Sequence, residues 1–120
     1  MPNTFKTVTK AGVTGVKTIY EAGSSVNATV VLGLMVCNTT TSGITIQVQL
    51  ISNTTGRVPT GTTASTENTN VFLVKDGPVP VGGTQEFLGG NKIVLEDTDS
   101  ITLQASGAAD ITLSIMEITS

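Results

Sequence analysis

Ile44-Thr-Ile-Gln-Val-Gln-Leu50 is the stretch that decides the fold. Apolar residues at 44, 46, 48 and 50 alternate with Thr45, Gln47 and Gln49. Only an extended strand turns a period of two into one apolar and one polar face. The spacing therefore predicts a strand in a sheet whose Ile/Val/Leu side is covered. The other side carries neutral Thr and Gln, where exposed strands usually carry charge.

The neighbouring segments continue in the same mode. Thr29 to Cys37 is apolar almost throughout, and Val30 to Cys37 is the longest such run. It predicts a central strand covered on both faces, by this chain or by a partner subunit, with Gly33 marking a bulge or a close backbone approach. Ser100 to Ala105 sets Ile101, Leu103 and Ala105 against Thr102 and Gln104. In Asp110 to Ile118 the residues Ile111, Leu113 and Ile115 share a face, and then Glu117 takes that parity while Met116 and Ile118 take the other. A bulge near Ile115–Met116 would restore the alternation; otherwise the strand end packs on a neighbour. Weaker strands are expected at Phe5–Thr9, Val16–Tyr20, Val71–Lys75, Thr84–Leu88 and Lys92–Leu95. The gaps at Glu21–Gly23, Thr41–Gly43, Asp76–Pro78, Val81–Gly83 and Leu88–Asn91 hold the Gly or Pro of tight turns. No window shows helical spacing of apolar residues. The expected fold is all-β: one antiparallel β-sandwich or jelly-roll-like domain of about eight strands. It spans 16–120, preceded by an N-terminal arm or short edge strand at 1–15. A long Thr-rich loop at 53–70 is expected to be either a plain surface loop or an arm that orders against a neighbouring chain.

Composition narrows the chemistry. The chain has 120 residues, no His, no Trp, one Cys, one Tyr, 22 Thr and only 12% charged residues; ordinary domains have about 25%. Without His there are no Ser-His or Cys-His nucleophile pairs. With one Cys there is no zinc knuckle and no intrachain disulfide. The net charge is −3, and the six cations Lys6, Lys10, Lys17, Arg57, Lys75 and Lys92 are scattered, so neither nucleic acid nor an anionic membrane is an expected partner. No apolar run approaches a membrane span. Met1-Pro-Asn-Thr-Phe-Lys6 lacks the pattern of a signal peptide.

The candidate sites each have a plain structural alternative. Glu96-Asp97-Thr98-Asp99 could offer carboxylates to Ca²⁺ or to a glycosidase pair, but it lacks the rest of a calcium loop and any aromatic-lined cleft; a strand-to-strand turn with solvated carboxylates is expected. Cys37 is expected as a small core hydrophobe, and Met35 and Met116 as core filler. Lys75-Asp76 reads as a surface charge pair. Gly82-Gly83 and Gly89-Gly90 have no following helix to hold a phosphate. Asn27, Asn38 and Asn53 begin Asn-x-Thr tripeptides, expected by chance in so Thr-rich a chain. No catalytic, cofactor-binding or metal residue is expected.

The segments Tyr20-Glu-Ala-Gly-Ser-Ser25, Val30-Val-Leu-Gly-Leu-Met-Val-Cys-Asn38, Val71-Phe-Leu-Val-Lys-Asp-Gly-Pro-Val-Pro-Val-Gly-Gly-Thr84, Lys92-Ile-Val-Leu-Glu96, Asp99-Ser-Ile-Thr-Leu-Gln-Ala105 and Asp110-Ile-Thr-Leu-Ser-Ile-Met-Glu-Ile118 together carry a pattern. It resembles small virion structural proteins of tailed bacteriophages, notably those of marine cyanophages, over most of 16–118. The resemblance implies a non-enzymatic β-sandwich in many copies on a particle, assembled in the host cytoplasm. The expected function is that of a capsid decoration (cement) protein. Its expected partners are itself, as a trimer, and phage structural proteins such as the major capsid protein. The alternatives are a neck or tail component, or a carbohydrate-binding host-recognition module whose one exposed aromatic with a polar tip would be Tyr20. Low charge suits such a protein, because covering an ion costs several kcal/mol.

Overall fold

Every regular element of this computed structural model, which describes residues 3–23, 26–52 and 70–119, is an antiparallel strand. In chain order they are β1 (Asn3–Glu21), β2 (Val26–Asn38), β3 (Ile44–Ile51), β4 (Val71–Val79), β5 (Thr84–Glu86), β6 (Ile93–Glu96) and β7 (Ser100–Thr119). The fold is all-β, as the alternation predicts, with seven strands instead of about eight. The count falls because two predicted pairs fuse. Phe5–Thr9 and Val16–Tyr20 are parts of the 19-residue β1, and Ser100–Ala105 and Asp110–Ile118 are parts of the 20-residue β7.

β7 organises the sheet. On one flank it pairs with β1 from Asn3↔Ile118 to Glu21↔Ser100. On the other flank its first half pairs with β3, from Ile51↔Ser100 to Ile46↔Ala105, and its second half pairs with β2, from Asn38↔Ala109 to Val26↔Thr119. β4 pairs with β3, while β5 and β6 pair with opposite ends of β2. The curled sheet thus forms two sandwich-like layers. The first holds the end of β1, the start of β7, β3 and β4; the second holds the start of β1, the end of β7, β2, β5 and β6.

The corner between the layers lies in the two fused strands. β1 changes register between Lys10 and Gly15, where Gly12 and Gly15 have φ of 64° and 68°, a region that L side chains rarely adopt. Between Val13↔Ala109 and Gly15↔Ala105 the ladder gains extra residues on β7. Gly107 sits inside this bulge, and a Cβ there would lie 2.9 Å from Ile44 Cγ2 and 3.2 Å from Thr40 Cγ2. The Ala11-Gly-Val-Thr-Gly15 segment is therefore a bend, and its Val13, 3% exposed, turns into the core.

That core is aliphatic. Ile46, Val48, Ile101 and Leu103 of the first layer join Val31, Leu34, Val36, Ile111, Leu113 and Ile115 of the second in one buried cluster. Each such side chain contributes about 1.5–3 kcal/mol by leaving water. β2 is central, as expected, and carries a bulge between Val31 and Gly33.

Two local expectations are corrected. Asp76-Gly77-Pro78 is no turn: β4 runs through it, with Asp76 at φ 53° and a register shift between Ile46 and Val48. Pro78 fits because β4 is bonded on one side only. Nor does β7 bulge at Ile115–Met116, since its register with β1 is unbroken from Lys10↔Ile111 to Asn3↔Ile118; the bulge is in β2. Glu117 stays on the inner side.

The hairpin from β2 to β3 hangs on Asn38, which is 2% exposed. Its Nδ2 donates to the carbonyls of Ser42 (2.8 Å) and Val79 (3.0 Å), and its Oδ1 accepts from Thr40 N (2.8 Å) and Thr40 Oγ1 (2.7 Å). Asn38→Ala is expected to cost about 3 kcal/mol, because buried backbone groups lose their partners. Urea unfolding followed by circular dichroism measures this, and a loss below about 0.5 kcal/mol, the range of neutral surface changes, would contradict it.

Candidate functional site

The sequence candidates are placed as follows. Glu96–Asp99 is the turn from β6 to β7, closed by Asp99 N donating to Glu96 O at 3.1 Å. Its carboxylates are not all solvated: Asp99 is 4% exposed and its Oδ2 accepts from Glu96 N at 3.0 Å. Among the described residues no three of His, Cys, Asp and Glu come together as a metal site. Cys37 is free and half-buried, with Sγ 3.9 Å from Asn38 O. Lys75 and Asp76 do not form the expected pair. Lys75 Nζ lies 4.7 Å over the Phe72 ring, and Asp76 Oδ1 accepts from Gln47 Nε2 at 3.1 Å. Gly82-Gly83 and Gly89-Gly90 are strand-to-strand turns, closed by Gly83 N to Pro80 O and Asn91 N to Leu88 O. Asn38 spends its amide inside the fold, Asn27 is exposed, and Asn53 lies outside the described residues. So do residues 53–69 of the Thr-rich segment. Its flanks meet where Ser52 N donates to Asn70 Oδ1 at 2.8 Å. Residues 3–15 of the expected arm or edge strand form the first part of β1, along the edge of the sheet.

Two features that the alternation could not resolve are polar clusters, the first between the layers and the second around the exposed Glu86. Tyr20, from β1 in the first layer, donates its hydroxyl proton to Glu117 Oε2 at 2.6 Å and lies 2.9 Å from Thr29 Oγ1. Lys6 Nζ reaches Glu117 Oε1 at 2.8 Å. The cluster closes one end of the space between the layers, with Thr29 fully buried. This is why Glu117 can hold an inward parity. The Lys6 ammonium, and after it the Tyr20 hydroxyl, hold the Glu117 carboxyl below its usual value against partial burial. Burial, then the bond to Glu117, pushes Tyr20 up to about 12. The hydroxyl that would serve as a sugar-binding tip is thus committed internally. The second cluster is a single carboxylate. Glu86 Oε2 accepts from Leu34 N beside the β2 bulge, and its Oε1 accepts from Leu88 N and Gly89 N in the next turn. Burial alone would raise its pKa, but the donors Leu34, Gly89 and Leu88 outweigh it and lower the value.

What remains exposed is organised by charge. Lys6, Lys10 and Lys17 lie on β1, Lys75 on β4, and Lys92 just before β6. Each of these strands pairs on one side only. Lysines on unpaired edges oppose strand addition by other chains. The outer faces are mostly Thr, Gln, Ser and apolar residues, with Asp76 beside Gln47 on the first layer and Asp110, Glu86 and Glu96 on the second. In the first layer, Val16, Thr18, Thr45, Gln47, Gln49, Thr102, Gln104 and Ser106 share the face, with a shallow depression at Thr45, Gln47, Gln104, Ala105 and Ser106. In the second layer the register aligns Phe5, Met116, Val30 and Val94 as one apolar row across four strands. Phe5 is 72% and Val94 61% exposed. Met35, 43% exposed, and the half-buried Met116 face outward on this layer and are not the core filler expected of them. Among the described residues, no layer covers the outer side of β2.

The inner cluster sets a pH dependence. Tyr20 is raised, so the stability it contributes is fully present below its unfolded pKa of about 10 and is lost as pH rises through its folded value of about 12. Since Tyr20 is the only Tyr and there is no Trp, tyrosinate absorbance reads it directly. The midpoint is expected near 12 in the folded chain and near 10 in urea; equal midpoints would contradict the cluster. Glu86 and Glu117 are lowered, so their contribution is present above about pH 4.3, the unfolded Glu value, and is lost as pH falls through their folded values. Glu117→Gln is expected to flatten the acid loss of stability in urea titrations; an unchanged acid profile would count against its role.

No family model matches the chain, and no curated protein matches it. Among solved structures, one described under "Bacillus endospore appendages form a novel family of disulfide-linked pili" is similar at 15% identity and a TM-score of 0.46. The likeness covers 99% of this chain and 88% of that one. At this level it adds nothing to the fold described above.

Proposed function

We propose that this chain is a non-enzymatic structural protein of a tailed-bacteriophage virion, acting as a capsid decoration protein. It would bind the head shell and copies of itself through protein–protein contacts. The observation that carries the reading is the uncovered apolar row Phe5–Met116–Val30–Val94 on the second layer, with lysines placed along the unpaired edges. Interface centres are depleted of charged residues and enriched in Phe and Met, which matches the second layer's outer face. Covering that row desolvates no charged side chain of its own. The resemblance of the strand and turn segments to small virion proteins supplies the particle as the setting.

The test is quantitative mass spectrometry of purified particles from a phage that encodes this chain. Decoration predicts a copy number that scales with the major capsid protein. A few copies per particle would move the chain to the neck or tail, and absence from particles would overturn the virion reading.

A further inference from the structure

β1 is one strand by its hydrogen bonds and two by its anchorage. From Asn3 to Gly12 every residue is exposed except the half-buried Val8. From Val13 to Glu21 the chain buries Val13 and Ile19 and half-buries Tyr20. The end of this second part is also held by the turn before β7. Ala22 N donates to Asp99 O at 2.9 Å, and Thr98 N donates to Ala22 O at 2.8 Å. The two parts meet at Ala11–Gly15, where the ladder shifts register twice and Gly12 and Gly15 have positive φ. We infer that residues 3–10 form a strap that unzips from β7 as one unit about this bend, while the rest of the fold stays closed.

The strap is held by few kinds of contact. Its register with β7 is continuous from Asn3↔Ile118 to Lys10↔Ile111. Its inward residues Thr4, Lys6, Val8 and Lys10 stand opposite Glu117, Ile115, Leu113 and Ile111. Val8 packs against the core. Lys6 reaches Glu117 at 2.8 Å with its own side chain 54% exposed, and such a pair adds little. Gly12 N adds a bond to Asp110 Oδ1 at 2.9 Å, at the hinge itself. A ladder hydrogen bond does little more than offset the entropy of fixing the residues that make it. Buried side chains therefore decide which segment stays closed, and the strap has almost none.

Opening leaves the layer standing. β7 stays paired with β2 from Asn38↔Ala109 to Val26↔Thr119, so it keeps its register. While the strap is open, the other flank of β7 over Ile111–Ile118 is an unpaired edge without a lysine. An edge of that kind is one that an added strand can join. The closed strap covers it with a strand that carries Lys6 and Lys10. The strap does not depend on the virion setting proposed above.

Residue-resolved amide hydrogen exchange of the full chain, followed by NMR in dilute solution, tests it. The amides of residues 3–10 that bond β7 and the amides of Ile111–Ile118 that point toward β1 are expected to share one opening constant. It is expected to be roughly tenfold or more above that of Val16–Ile19. Val8→Ala is expected to raise it about fivefold. Ile46→Val, in the core of the other layer, is expected to speed exchange in the β3–β7 ladder about fivefold and to leave the strap unchanged. Should circular dichroism show Ile46→Val unfolded, low urea replaces it: opening the strap exposes little surface, so its exchange is expected to respond far less steeply than that of the β3–β7 ladder. Protection of residues 3–10 equal to that of Val16–Ile19 would overturn the inference. So would protection that rises gradually from Asn3 to Lys10, which is simple fraying, or strap exchange that follows the β3–β7 ladder in Ile46→Val or in urea.

Discussion

Because β7 pairs with β1 along one flank and with β3 and then β2 along the other, both layers take their register from a single strand. A slip of one residue in β7 would turn Leu103, Ile111, Leu113 and Ile115 out of the core together. Extra residues at the corner, around Gly107, let one strand serve two layers. The glycines of β1 let the edge follow the same bend. The inner Tyr20–Glu117–Lys6 cluster then ties the end of β1 in one layer to the end of β7 in the other.

Much of this was legible in the residues, and the limits have physical causes. Period-two alternation located β3 and both halves of β7, because one buried face leaves a regular trace. It could not show that Ser100–Ala105 and Asp110–Ile118 are one strand, because a bulge around a glycine reads like a turn when its hydrogen-bond partners are unknown. The same ambiguity hid the continuity of β1 and made Asp76–Pro78 look like a turn. Glu117 was legible as an anomaly of parity. Its resolution lay in Tyr20 and Lys6, which are 97 and 111 positions away in the chain. Met35 and Met116 were misplaced because an apolar run shows that both faces are hydrophobic without showing what covers the outer one.

The scarcity of charge acquires a pattern once the strands are placed. The five described lysines all lie on or beside strands with a free flank, so charge stands along the edges, where it opposes added strands. Three carboxylates follow a different logic. Glu86, Asp99 and Glu117 bind backbone or side-chain donors and hold turns and the layer gap in place. The charge that remains therefore serves the fold and its edges.

Contact through faces, with edges kept free, is the central claim, and amide hydrogen exchange of β1 in the assembled state tests it most directly. The amides of β1 that point away from β7 are expected to exchange as fast in the assembly as in the dilute chain, because stacked faces leave the edge open. Slowed exchange of those amides on assembly would mean that copies join strand to strand through β1, and would contradict the account.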